Sequence, residues 1–288
     1  REKPLELGKP TAQRGDIREL EGEGKLVEGT YMTPFCDQSP IEPLNGTAVV
    51  TADGVELWHP TQEMDGALWV AADETGLPPE KIKCHQTLVG GAFGRRFFAN
   101  DVRMVVAVAR RYPGVPVQVI WSREETMRQG RYRPLVATRL KARLDVEGLP
   151  RAMLARIAGH GISNNGIADT GYANGIVPNV RIESRRVPFH LMTGPFRGPG
   201  YNSFAFIVES FIDECAAAAK IDPLEYRLRL FQRWPDDGWT KCLTVAAGKA
   251  GWGSPLPRGR GRGIAIAAFS MAGKPKSATV VCVVATVE

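Results

Sequence analysis

The 288-residue sequence predicts an α+β fold of mixed sheets with β-hairpins and packed helices. Three observations carry that prediction. Apolar alternation at period two flanks Asp53-Gly54 and again Glu147-Gly148, and the first dipeptide is one that tight hairpin turns favour. Apolar residues at helical spacing fill 61–75, 100–111 and 202–222. Strands and helices are interspersed, yet the hairpins interrupt any regular strand–helix–strand rhythm, which argues against a doubly wound parallel sheet.

Taken in order, residues 1–30 are polar with little periodicity and read as a connecting segment. "GTAVV" and "VELW" form the first hairpin around Asp53-Gly54. A helix follows, with Thr61 as its expected N-cap, Gln62 in its first turn, and Gly76 and Pro78-Pro79 as its stop. "KIKCHQTLV" reads as a strand, Asn100 to Arg111 as a helix ended by Pro113-Gly114, and "VPVQVIWS" as another strand. "LVATRLKARLDV" and "RAMLARIAGH" form the second hairpin. In 202–222, Ile207, Phe211 and Cys215 repeat at i, i+4, i+8, and Pro223 starts a further helix. "GRGIAIAAFSM" and "SATVVCVVATVE" close the chain as two strands.

At 43% hydrophobic and 24% charged residues, the chain can bury a real core as one large domain or two smaller ones. No apolar run approaches the roughly 20 residues of a membrane helix. The net charge of +6, from 37 basic and 31 acidic residues, is spread along the chain and suits an anionic cofactor as well as a nucleic acid. Cys36, Cys84, Cys215, Cys242 and Cys282 form no CxxC pair and the histidines do not cluster, which argues against zinc or iron–sulfur ligation by this chain alone. His59, His85, His160 and His190 stand in no hydrolase signature. Glu209, Asp213 and Glu214 read as the solvated face of their helix, and "RGRGRG" (258–263) as a basic turn ahead of a strand.

Two loops stand out. "VGGAFGRR" (89–96) and "TGPFRGPGYN" (193–202) each join glycine, phenylalanine and arginine just ahead of a helix. Neither fits the G-x-G-x-x-G or G-x-x-x-x-G-K-[ST] spacing, so the standard nucleotide loops are rejected. Each is either a tight turn before a helix or part of a shared cradle whose backbone N–H groups face one anionic ligand. The shared cradle requires the loops to converge, with Phe93 and Arg197 beside one cleft.

Those loops, in this order and separation, resemble the molybdenum-binding large subunit of the xanthine oxidase and aldehyde oxidase family, in particular the isoquinoline 1-oxidoreductase β subunit and related aldehyde dehydrogenases. "SPIEPLNGTAVV", "WHPTQ", "GGAFGRR", "WSREETMRQGRYRP", "GPFRGPGYNSFAFIVESFIDECA" and "DPLEYRLRLF" carry the likeness. The resemblance implies that 31–288 are the first half of a molybdopterin-binding domain. It implies a molybdenum pyranopterin, often extended as a cytosine dinucleotide, that hydroxylates an N-heterocycle or aldehyde with water-derived oxygen. It also implies [2Fe-2S] clusters on a small partner subunit that take the electrons. Carried over by motif, Gln62 would donate to a molybdenum oxo ligand; Gly91, Ala92, Phe93 and Gly94 would form the first cofactor loop. Phe196, Arg197 and Gly198 would form the second, Arg197 acting through its N–H or its guanidinium. Phe97 stands where purine-oxidising members have a substrate-binding glutamate, which favours a less polar substrate. No residue of this chain is implied as a direct metal ligand. The family's general-base glutamate lies in a G-x-G-E motif that the chain does not contain, and Glu288 follows "VVATV" instead, so the segment alone is expected to be inactive. The competing class is a basic nucleic-acid or polyanion-binding module using Arg95, Arg96, Arg197 and Arg258 to Arg262.

Overall fold

Two strands, β1 (Pro10–Arg14) and β2 (Leu26–Thr33), lie in the segment read from the sequence as a connector. They occur in a computed structural model that describes residues 10–160, 167, 171–234, 237–269 and 279–288. The polar run hid them because neither strand alternates cleanly; long-range pairing, rather than local pattern, recruits them. The chain divides into two units, one of Phe35–Pro134 with Phe189–Arg197, the other of Arg1–Pro34, Leu135–Pro188 and Gly198–Glu288.

In the Phe35–Pro134 unit, the Asp53-Gly54 hairpin joins β3 (Asn45–Val50) to β4 (Val55–His59) as the sequence predicts. Parallel β5 (Ile82–Gln86) and antiparallel β6 (Val117–Ile120) complete a sheet of order β5-β4-β3-β6. Helices α1 (Met64–Thr75) and α2 (Asn100–Ala109) pack on it. Val102, Val105, Val106 and Ala109 supply the i, i+3, i+4, i+7 stripe of α2 and meet Ala67 and Ala71 of α1 over Ala48 and Leu57 of the sheet. Short α3 (Arg123–Arg128) is capped by Ser122.

In the other unit, β7 (Val136–Leu144), β8 (Pro150–Gly159) and β9 (Asn179–Arg186) join the first two strands in the order β1-β9-β8-β7-β2, with only β8 and β9 parallel. The Glu147-Gly148 hairpin is present. Helix α4 (Tyr201–Ala219) buries Phe204, Ile207, Phe211 and Cys215 and packs against β2, β7 and β10 (Gly261–Phe269). Each fully buried large apolar side chain contributes about 1.5–3 kcal/mol. Pro223 opens α5 (Pro223–Phe231) behind the N-cap Asp222, α6 (Gly238–Lys249) follows, and β10 pairs with β11 (Thr279–Val287). The mixed α+β class is therefore observed. All five cysteines are free thiols, and burial pushes Cys215 up to about 12.

Glu209 corrects the sequence reading: it is buried rather than solvated. Its carboxylate accepts from Tyr172 Oη at 2.8 Å, Arg227 Nε at 2.9 Å and the Ile266 N–H at 2.7 Å. Arg227, fully buried on α5, also reaches Asp213 Oδ1 at 2.6 Å. A buried carboxylate needs such a partner, and helical spacing alone cannot show one arriving from the next helix. Arg227→Leu is expected to destabilise the protein by about 3–5 kcal/mol, because it strands a buried charge. Adding Glu209→Gln should return part of that loss in thermal unfolding; additive costs would refute the ion pair as the cause.

Candidate functional site

The first glycine loop leaves β5 and enters α2 through a backbone that only its glycines make feasible. Gly91 and Gly94 have φ of +100° and +99°, and Phe93 sits at φ +54°, a sparsely populated region for a non-glycine residue. A Cβ on Gly94 would lie 2.3 Å from the Pro195 carbonyl oxygen, so the second loop approaches the first as closely as a bare backbone permits. The Arg197 N–H donates to the Phe93 carbonyl at 2.9 Å. The two loops converge as the shared-cradle reading requires.

Gln62 sits just before α1 rather than inside it, because Glu63 is the N-cap and its carboxylate accepts from the Gly66 N–H. Thr61 cannot take that role: its hydroxyl accepts from the Glu63 N–H at 3.1 Å and faces the Arg96 carbonyl at 3.3 Å. Gln62 is instead fixed at both ends. Its N–H donates to the Arg96 carbonyl at 3.2 Å, and its Oε1 accepts from the Gly94 N–H at 3.0 Å. With Oε1 pinned, the Nε2 donors are what the amide offers to a ligand.

The donors the loops present are fewer than the sequence suggests. The N–H groups of Gly90, Gly94, Arg95 and Arg197 are taken by Glu42, Gln62, Ala92 and Phe93 respectively. Those of Gly91, Ala92 and Phe93 meet no protein acceptor among the described residues.

Arg96 and Glu42 organise this geometry. Arg96 is fully buried; its guanidinium donates to the carbonyls of Gly91 at 3.3 Å, Pro60 at 3.3 Å, Glu42 at 3.1 Å and Pro43 at 3.1 Å, and to Glu42 Oε2 at 3.0 Å. Glu42 Oε2 also accepts from the Gly90 N–H at 2.8 Å. Burial pushes the Glu42 carboxyl up, but the Asn45 amide, the Gly90 N–H and the Arg96 charge outweigh it and hold the group below its ordinary value. Gln38 braces the second loop, donating to the carbonyls of Arg131 and Pro195 at 2.7 Å each. Sequence reasoning assigned no site role to Glu42 or Gln38 and gave Arg96 only that of a polyanion-binding cation, although "SPIEPLNG" contains Glu42 and "GGAFGRR" contains Arg96.

Phe97 is exposed and meets Phe98 edge-on at 5.5 Å, while the Phe196 ring lies 5.6 Å from the Arg133 guanidinium. Ala92 holds the tip between the two left-handed glycines. Gly198, at φ +71°, falls in the other unit and accepts from the Asn202 N–H as the chain enters α4. Arg260 pairs with Glu288 at 2.9 Å and Arg262 bonds Thr286 at 3.1 Å, so these two arginines brace the β10–β11 ribbon. No cluster of metal-ligating side chains occurs among the described residues, and no helix there is long and apolar enough to cross a membrane.

Two glycine loops are thus locked together beside an oriented amide. Residues 2–231 match the molybdopterin cofactor-binding domain, and the chain belongs to that family. It is 30% identical over 208 residues to the isoquinoline 1-oxidoreductase subunit beta of Brevundimonas diminuta, covering 66% of this chain and 26% of the relative. It is 26% identical over 243 residues to the aldehyde oxidoreductase molybdenum-binding subunit PaoC of Escherichia coli (strain K12), covering 78% and 33%. The fold matches quinoline 2-oxidoreductase from Pseudomonas putida 86 with a TM-score of 0.74 at 20% identity, over 89% of this chain and 37% of that one. The chain thus spans roughly a quarter to a third of these two curated relatives, and the resemblance carried by the motifs is borne out.

The Glu42 anchor gives a signed pH dependence. A carboxyl depressed in the folded state stabilises fully above its ordinary value of 4.5 and loses that contribution as the pH falls through the lower folded value. Amide protection factors at Gly90 should therefore drop below about pH 4.5, the ordinary carboxylate range. Glu42→Gln should flatten that step. A step that survives in the variant would place the anchor elsewhere.

Proposed function

We propose that this chain supplies cofactor-gripping loops of a molybdenum-dependent oxidoreductase that hydroxylates an N-heterocycle or aldehyde. The observation that carries this reading is the bond from the Gly94 N–H to Gln62 Oε1, which fixes the amide in one orientation with its donors outward. The donor set fits an oxygen-rich pterin: three consecutive loop N–H groups, one oriented amide, and bare glycine backbone that admits close approach. When bound, the molybdenum pyranopterin, in its cytosine dinucleotide form, supplies the two-electron oxidation with oxygen drawn from water.

The chain's own residues bind and orient. Gly91, Ala92 and Phe93 would donate backbone hydrogen bonds to the cofactor, Gln62 Nε2 would donate to an oxygen at its metal, and Phe93 would pack beside it. Phe196 and Arg197 carry the second loop, with Gly198 leading out of it. The Arg197 N–H is engaged by Phe93, which favours a role for its guanidinium. Exposed Phe97 lines a less polar substrate pocket than a glutamate would. Clusters of the [2Fe-2S] type on a small partner subunit would accept the electrons, and a residue outside these 288 would supply the general base. The polyanion-binding alternative is weakened, since Arg95 and Arg96 are buried and Arg260 and Arg262 are engaged, which leaves only Arg197 and Arg258 of its cations exposed without an assigned place in the β10–β11 ribbon.

Gln62→Glu in the intact enzyme separates the two jobs of the side chain, because it keeps an acceptor for the Gly94 N–H and removes the amide donor. Turnover per bound molybdenum should fall about 10- to 100-fold, the range for loss of an outer partner of a metal site. Unchanged turnover per molybdenum would reduce Gln62 to a helix-entry residue. The 288-residue segment by itself is expected to retain no stoichiometric molybdenum by elemental analysis. Stoichiometric metal together with dye reduction by an N-heterocycle would contradict the division of labour.

A further inference from the structure

Arg95 follows Gly94 in the loop, but its side chain takes no part in the clamp. It is 4% exposed, yet its guanidinium gives a single hydrogen bond, Nη2 to the Gln129 carbonyl at 3.2 Å, and its Nε meets no acceptor. Asp101 and Asp37 act on it only through space, with no ion pair among the described residues. Arg96, its neighbour, makes five hydrogen bonds at similar burial. A guanidinium carries five donors, and a buried cation without hydrogen-bond partners is costly, so the difference needs an explanation. The Trp121 ring, 5.8 Å from the Arg95 charge, offers a cation–π contact but no acceptor. The Trp121 indole N–H is itself buried without a partner.

A cleft of about 550 Å³ opens against these two side chains. Its apolar wall is built from Met104, Ile120 and Met192, all exposed. The N-terminus of α2 borders it, where Ala99 at the N-cap position provides no side-chain cap. An under-paired guanidinium, a helix N-terminus and a greasy wall in one concavity favour an anion with an apolar body.

We propose that this cleft binds a small aromatic monocarboxylate, its carboxylate held by the Arg95 guanidinium, its ring against Met104, Ile120 and Met192. Two acidic residues, Asp101 and Glu125, also line the cleft. Asp101 is turned toward His59, whose Nε2 lies 3.4 Å from its Oδ2, and the two acids together disfavour a dianion such as phosphate. The volume suits one or two fused rings and falls in the range of small-molecule sites.

The test is calorimetric titration of the complete subunit with 1-naphthoate, with naphthamide and inorganic phosphate as comparisons. Naphthoate should bind, phosphate should not compete, and naphthamide should be weaker by about 10- to 100-fold, as expected for loss of a hydrogen bond between charged groups. Arg95→Gln should weaken naphthoate by a similar factor without lowering the unfolding temperature, since it removes an under-paired buried cation. Met104→Trp, which fills the exposed wall, is the second variant and should abolish binding if Arg95→Gln does not fold. Absence of naphthoate binding at millimolar concentration overturns the proposal, including the case in which another part of the subunit fills the cleft. Equal binding by the wild type and either variant overturns it as well.

Discussion

The buried guanidinium of Arg96 is the contact on which the candidate site depends. It gathers carbonyls from Glu42, Pro43, Pro60 and Gly91, so three separate stretches of chain are held to one planar group. Its own carbonyl then receives the Gln62 N–H. Burial alone would disfavour such a charge, and Glu42 supplies the compensating carboxylate while also receiving the Gly90 N–H. Loop, amide and helix entry are therefore positioned by one interaction rather than by three.

That arrangement explains why the loops bond several of their own backbone groups to one another yet leave three consecutive N–H groups without a protein acceptor among the described residues. Where the two loops touch, Gly94 meets Pro195 with no room for a side chain, and the Arg197 N–H closes on the Phe93 carbonyl. Where they do not, Gly91, Ala92 and Phe93 keep their N–H groups. The left-handed conformation of Phe93 is the local cost, of order 1–3 kcal/mol, and it persists because the surrounding hydrogen bonds over-determine it. Glutamine beside this tip is then an oriented donor, not a flexible surface amide.

Much of this was legible in the sequence, for physical reasons that differ by element. The hairpins at Asp53-Gly54 and Glu147-Gly148 combine a turn signal with period-two alternation, so local pattern suffices. Pro223 behind Asp222 marks a helix start by its missing N–H and its cap. The strands at 10–14 and 26–33 were not legible, because their stability comes from partners more than a hundred residues away. Thr61 was read as a cap from residue type alone, yet its hydroxyl is spent on Glu63 and Arg96. Glu209 was read as solvated because a helical wheel cannot show Arg227 arriving from α5. The two loops were legible as composition, but their clamp was not, since Glu42 and Arg96 look like ordinary surface charges until the fold brings them together.

The central claim is that the loops at 90–96 and 193–197 form one cradle for one cofactor. Hydrogen exchange of both segments in the complete subunit, followed as a function of molybdenum cofactor occupancy, tests it most directly. Both segments should gain protection together, with the same dependence on occupancy, while the sheet of β3 to β6 stays unchanged. Protection of one segment without the other, or of neither at full occupancy, would contradict a shared cradle.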